Sequence, residues 1–173
     1  MSNKMYRKAL ITVALLVLII IAALAMGRAP KKVETTGGGP FTVIDFTLEA
    51  LDGKVYTLSD YKDKVIFLNF WATWCPPCRA EMPSMQKLFE SWDKKKFVML
   101  AVNMRESEDK VKAFIEKNGY SFPILLDRNG EVGNKYKVHG IPATYIISDG
   151  GQSIVGVVGA REWTMAEMQD VVQ

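Results

Sequence analysis

A chain of 173 residues, 49% hydrophobic and 24% charged, has the make-up of one globular domain with accessories, and its two cysteines exclude a disulfide-stapled scaffold. The net charge of +3 divides unevenly: Lys4, Arg7, Lys8, Arg28, Lys31 and Lys32 meet no acid in residues 1–32, leaving 16 basic and 19 acidic residues, a balance of −3, in the remainder. Lys94–Lys96 is the one basic run of that remainder, too short for a nucleic-acid footprint.

Ala9–Met26 is a stretch of 18 residues without a charge. As a helix it reaches about 27 Å, close to the roughly 30 Å of bilayer hydrocarbon. Lys4, Arg7 and Lys8 precede it as in an export signal. The count of basic residues ties across the span, and the short N-terminal tail places the N-terminus inside. The expectation is a single-pass signal-anchor over residues 1–26, with the N-terminus cytoplasmic and the following domain extracytoplasmic. Ala23-Leu24-Ala25 resembles a cleavage site, so a secreted or periplasmic domain released by signal cleavage is the alternative. Residues 27–40, with Ala29-Pro30 and Thr35-Thr36-Gly37-Gly38-Gly39-Pro40, read as a flexible linker.

Residues 41–173 read as the folded domain. Val43–Leu48 and Lys54–Leu58 flank Asp52-Gly53, a hairpin signal, and Ser59-Asp60-Tyr61 is a turn. Val65–Phe70 is apolar enough for a buried central strand. From Pro76 a helical stripe runs through Cys75, Cys78, Met82, Met85, Phe89 and Trp92. Then come a strand at Phe97–Asn103, a helix at Ser107–Asn118 capped by Ser107 and stopped by Gly119, and a strand at Phe122–Leu126. The Asn129-Gly130 turn opens a short helix to Tyr136, Ala143–Ser148 and Ile154–Val158 pair around Gly150-Gly151, and Glu162–Val172 is the last helix. The order ββ, βαβαβα, ββα predicts an α/β domain with a mixed central sheet flanked by helices.

The chemistry gathers in Trp74-Cys75-Pro76-Pro77-Cys78, where the central strand runs into a helix. A bridge between cysteines three apart closes too small a loop to stabilise the fold much, so a structural disulfide is a poor reading. A thiol at a helix N-terminus meets the positive end of the dipole and unpaired amides, both of which favour the thiolate. The division of labour is expected to follow from exposure, with Cys75 the nucleophile and Cys78 the resolving thiol. A zinc site lacks further ligands, since there is no third cysteine and His139 is the sole histidine. A copper site from Cys75, Cys78 and His139 is an alternative. A peroxidatic cysteine expects Thr or Ser three residues ahead, where this chain has Ala72. Pro76 and Pro77 carry no N–H, so two amides that would stabilise the Cys75 thiolate are missing, which favours a more reducing couple.

The segment FLNFWATWCPPCRAEMP resembles the thioredoxin superfamily, and within it the TlpA/ResA-like membrane-anchored thiol–disulfide oxidoreductases with a redoxin (AhpC/TSA-like) domain. DFTLEALDGKVYTLSDYKDK, SFPILLDRNG and GIPATYII extend the likeness over nearly all of residues 41–173. The resemblance implies a thioredoxin-like fold with an N-terminal β-hairpin extension and an inserted helix–strand. It implies a cis bond at Ile141-Pro142, in a loop that packs on the dithiol and offers backbone to substrate. Glu81, at the edge of the buried stripe one turn after Cys78, matches the acidic residue that tunes the cysteines in the ResA-like branch; a solvated helix acid is the alternative from the residues alone. Pro83 matches a structural helix proline. Asn69 stands where thioredoxin has a buried aspartate, and reads as a hydrogen-bonded core amide. Trp71 and Trp74 are expected to pack around the site, and His139 to be a loop residue, tuning of Cys75 being the alternative.

The implied activity is an extracytoplasmic reductase of client-protein disulfides, with no cofactor beyond the Cys75–Cys78 couple. The resemblance further implies apocytochrome c haem-attachment cysteines as clients and a membrane electron donor of the CcdA or DsbD kind. A net disulfide oxidase or isomerase, and a copper-binding chaperone, are the alternatives.

Overall fold

The computed structural model describes residues 43–172, so the anchor expected over 1–26 and the linker expected over 27–40 lie outside them. Among the described residues no helix is long and apolar enough to cross a membrane.

The sheet is built on β3 (Val65–Trp71), buried along all but its first residue. A strand covered on both faces is apolar at successive positions instead of alternating. Parallel to it runs β4 (Phe97–Met104), and parallel to that the edge strand β5 (Ile124–Asp127); β6 (Ala143–Ser148) lies antiparallel on the other side of β3, followed by β7 (Ser153–Val158). The order is β5-β4-β3-β6-β7. Ile66, Leu68 and Phe70 enter one core with Leu100, Val102 and Tyr136, whereas Phe67 and Trp71 enter the other with Met82, Met85 and Trp163. Asn69 shares the second face by strand alternation. That places its amide under helix α1 (Pro76–Ser91), which buries Cys78, Glu81, Met82, Met85 and Leu88.

Three of the boundaries that move from the sequence expectation trace to particular residues. The first strand shrinks to β1 (Thr47–Glu49), paired with β2 (Val55–Thr57). Upstream, Asp45 Oδ1 accepts from the backbone of Phe46 and Ser59, both at 3.0 Å, which ties that segment to the 3₁₀ turn Leu58–Tyr61. Phe122 stays out of β5 because Pro123 follows it and has no N–H to give a ladder. The last helix, α4 (Met165–Val172), starts three residues late because Trp163 is drawn inward, its N–H donating to Ser84 Oγ at 2.9 Å. Helix α2 (Glu108–Asn118) begins after Ser107 as expected, although that side chain makes no capping bond, and Gly119 ends it in the left-handed region at φ 71°. The short α3 (Glu131–Lys135) opens after Gly130, with Asp127 accepting from the amides of Val132 and Gly133. The β1–β2 hairpin reaches the main sheet through Leu51 N–H, which donates to Ile124 O at 3.0 Å.

Candidate active site

The carboxyl end of β3 delivers the cysteines. After Trp71 the chain closes a turn in which Cys75 N–H donates to Ala72 O at 3.2 Å, and Cys75 then caps α1. Cys75 and Cys78 are joined by an S–S bond of 2.08 Å. Pro76 and Pro77 occupy the first helical positions without an N–H, and the first-turn amide that reaches Cys75 Sγ is that of Cys78, at 3.2 Å. The expected contrast in exposure is absent, since Cys75 is 2% and Cys78 0% exposed in the disulfide. What separates them is position. Cys75 stands at the start of the helix among the exposed Trp74, Pro76 and Pro77, while Cys78 lies one turn deeper.

The Ile141–Pro142 peptide bond is cis, as the resemblance implied. Its loop lies against the dithiol, with Ile141 O 3.7 Å from Cys75 Sγ, an acceptor for the thiol once the disulfide is opened. Trp71 and Trp74 part company. Trp71 is buried against Phe114 at a ring separation of 5.6 Å, whereas Trp74 is 62% exposed and lies open on the rim. His139 is exposed, and among the described residues no group of three or more His, Cys, Asp or Glu side chains converges as a metal site would need.

Glu81 is not the solvated acid that its residue type alone allowed. It is 2% exposed. Its Oε1 accepts from Asn69 Nδ2 at 2.9 Å, and its Oε2 from Trp163 Nε1 at 3.1 Å and Arg161 N–H at 3.3 Å. Burial raises its carboxyl above the ordinary range, and those three donors, each favouring the ion, pull back only part of that rise. Asn69 is the core amide expected, its second N–H donating to Thr144 Oγ1 at 2.8 Å. Pro83 lies inside α1, and Ser84 Oγ donates to the Glu81 carbonyl at 2.7 Å. Glu81, Ser84, Lys87, Arg161 and Trp163 line a cleft of about 680 Å³ beside the helix.

Sequence reasoning missed Thr144, Arg161 and Trp163, and a pair nearer the cysteines, Thr73 and Glu106. Trp163 stands 82 residues from the carboxylate it serves, and nothing in spacing marks it. Glu106 carried a fainter signal. It follows the carboxyl end of a parallel strand next to the one bearing the cysteines, where α/β sheets collect functional groups.

Comparison with known proteins gives this arrangement a family. The AhpC/TSA family model matches residues 42–153. The thiol-disulfide oxidoreductase ResA of Geobacillus thermodenitrificans is 43% identical over 111 residues, 64% of this chain and 64% of that protein, so the match spans just under two thirds of its length. ResA of Halalkalibacterium halodurans is 35% identical over 131 residues, 75% of this chain and 74% of its own. Among solved structures, the exposed lipoprotein thioredoxin of Streptococcus pneumoniae superposes with a TM-score of 0.66 at 31% identity, covering 75% of this chain and 98% of that one. With the strand order, the cysteine-bearing helix start and the match over residues 42–153 all in agreement, the chain belongs to the AhpC/TSA family and has its thioredoxin-like fold.

Proposed function

We propose that the chain is an extracytoplasmic thiol–disulfide oxidoreductase that reduces disulfides in client proteins. The observation that carries this reading is the Cys75–Cys78 disulfide at the mouth of α1, beside the Ile141–Pro142 loop, on a helix that also buries Glu81. Two relatives are named thiol-disulfide oxidoreductases and a third is described as an exposed lipoprotein thioredoxin, in keeping with work outside the cytoplasm.

In the reduced form Cys75 attacks one sulfur of a client disulfide. The Cys75–client bond forms, the client S–S bond breaks, and the second client sulfur leaves as a thiolate. Cys78, one helical turn away, then attacks Cys75 Sγ, which closes the internal disulfide and expels the first client sulfur. Two electrons have passed to the client, carried by the dithiol without another cofactor. Glu81 supplies a carboxyl whose raised titration suits it to exchange a proton with Cys78, and the adjoining cleft gives that proton a way to solvent. Trp74, Pro76, Pro77 and the Ile141 carbonyl form the rim on which a client backbone rests. The client class implied is the CxxCH haem-attachment site of apocytochrome c, and the donor that restores the dithiol is a membrane protein of the CcdA or DsbD kind. The membrane anchor over residues 1–26 keeps the domain near that donor.

The test is a Cys78→Ser variant expressed in the native cell, which stops the reaction at the mixed disulfide. Client proteins held on Cys75 in reductant-sensitive adducts are the expected result. Recovery of no adduct above a Cys75→Ser control contradicts the reading.

A further inference from the structure

Glu106 is a second buried carboxylate in contact with the active-site segment, and the reaction described above makes no use of it. Its side chain is 3% exposed and is paired with Lys110 Nζ at 2.6 Å. Its Oε2 accepts from Thr73 N–H at 2.6 Å and Asn103 Nδ2 at 2.9 Å, and its Oε1 from the Thr73 hydroxyl at 2.6 Å. Thr73 is thus held twice, by backbone and by side chain. It sits at the corner of the turn that Cys75 N–H closes on Ala72 O. That turn bears the exposed Trp74 and ends in the sulfur at the head of α1.

The strands bring this about. Trp71 and Asn103 are register partners at the carboxyl ends of parallel β3 and β4, so the segments leaving those ends run side by side. Arg105 then takes φ 57°, a left-handed conformation few non-glycine residues adopt, and is held there by its N–H on Asp127 O at 3.0 Å and its guanidinium on Asn134 Oδ1 at 3.1 Å. The reversal aims Glu106 back across the sheet end at Thr73. Burial by itself favours the neutral carboxyl, and the bonds from Lys110, Thr73 and Asn103 outweigh it and hold the group ionised.

We propose that Glu106 is a positioning residue for the redox couple: by clamping both donors of Thr73 it fixes the Ala72–Cys75 turn and so favours closure of the Cys75–Cys78 disulfide over the open dithiol. A disulfide demands that the two sulfurs meet in one geometry, whereas the dithiol tolerates a loose turn. The clamp therefore acts as effective concentration between the thiols. The proposal rests on the redox reading of the two cysteines.

The experiment equilibrates the purified protein with dithiothreitol. Each turnover breaks the Cys75–Cys78 bond to two thiols and closes one dithiothreitol to its cyclic disulfide, with two electrons and two protons transferred. For Glu106→Ala the equilibrium constant for reduction is expected to rise at least tenfold, a potential about 30 mV less negative. Glu106→Gln and Thr73→Val, which each keep part of the clamp, shift it less and in the same direction. Thermal unfolding is measured alongside, and the variants are expected to lose more stability in the oxidised than in the reduced form. Leu125→Ala, which opens a hole in the opposite core, lowers both forms together and leaves the potential at the wild-type value. Should Glu106→Ala fail to fold, the Gln and Val variants decide. Wild-type potentials in both would overturn the positioning role, whereas a wild-type disulfide that dithiothreitol cannot open would overturn the redox reading itself.

Discussion

Asn69 and Glu81 lie 2.9 Å apart as donor and acceptor, so the amide gives the buried carboxylate a neutral donor. Two carboxylates so close in a dry site cannot both ionise, so an aspartate at 69 would have to share a proton with Glu81. Asn69→Asp is expected to leave the pair sharing one proton well above the usual carboxylate range. The pH profile of alkylation at Cys75 and Cys78 reads this out, and an unshifted profile would show that position 81 does not couple to the dithiol. Pro77 has a consequence of its own. Pro77→His restores an N–H and adds a cationic ring at the second helical position, and the Cys75 thiol is expected to titrate lower by about one pH unit or more. Thiolate absorbance against pH checks this, and an unchanged midpoint removes the missing amides as a cause of low reactivity.

At the scale of elements, α1 joins stability and chemistry on one face. Met82, Met85 and Leu88 anchor it to the sheet, and the same stripe carries Cys78 and Glu81 inward. Met85→Ala is expected to cost about 2–5 kcal/mol in chemical denaturation. A loss under about 1 kcal/mol would mean that the sheet, and not this face, carries the helix. The stripe was legible in the sequence because a period of 3.6 residues survives without knowledge of partners. So were the central strand, the order of elements and the cysteine pair, for they are local patterns. Glu81 was reached through family likeness, since an acid on the edge of an apolar stripe looks solvated until Trp163 and Arg161 arrive from the far end of the chain. The Thr73–Glu106 clamp left only the faint signal of an acid after a strand end, because it depends on β3 lying beside β4, which no spacing in the sequence expresses. The late start of α4 has the same origin, a tertiary contact of Trp163 that overrides local helix preference.

At the scale of the molecule, Glu81 and Glu106 act on opposite flanks of the pH–stability curve. Glu81 titrates above its unfolded value, so the folded state binds more protons, and its contribution falls as pH rises from the ordinary carboxylate range through its own raised value. Glu106 titrates below its unfolded value, so its contribution is present above the ordinary range and is lost as pH falls through the folded value. Melting temperature against pH is therefore expected to decline less toward neutrality in Glu81→Gln and less toward acid in Glu106→Gln, each relative to the wild type. Parallel curves for all three proteins would show that neither carboxyl is coupled to folding. The central claim concerns the direction in which the couple runs, and the reduction potential of the purified wild-type domain, set by equilibration with dithiothreitol at neutral pH, tests it most directly. A reductase with a poorly stabilised Cys75 thiolate is expected below about −250 mV, whereas a value near the roughly −120 mV of strongly oxidising dithiols would contradict the account.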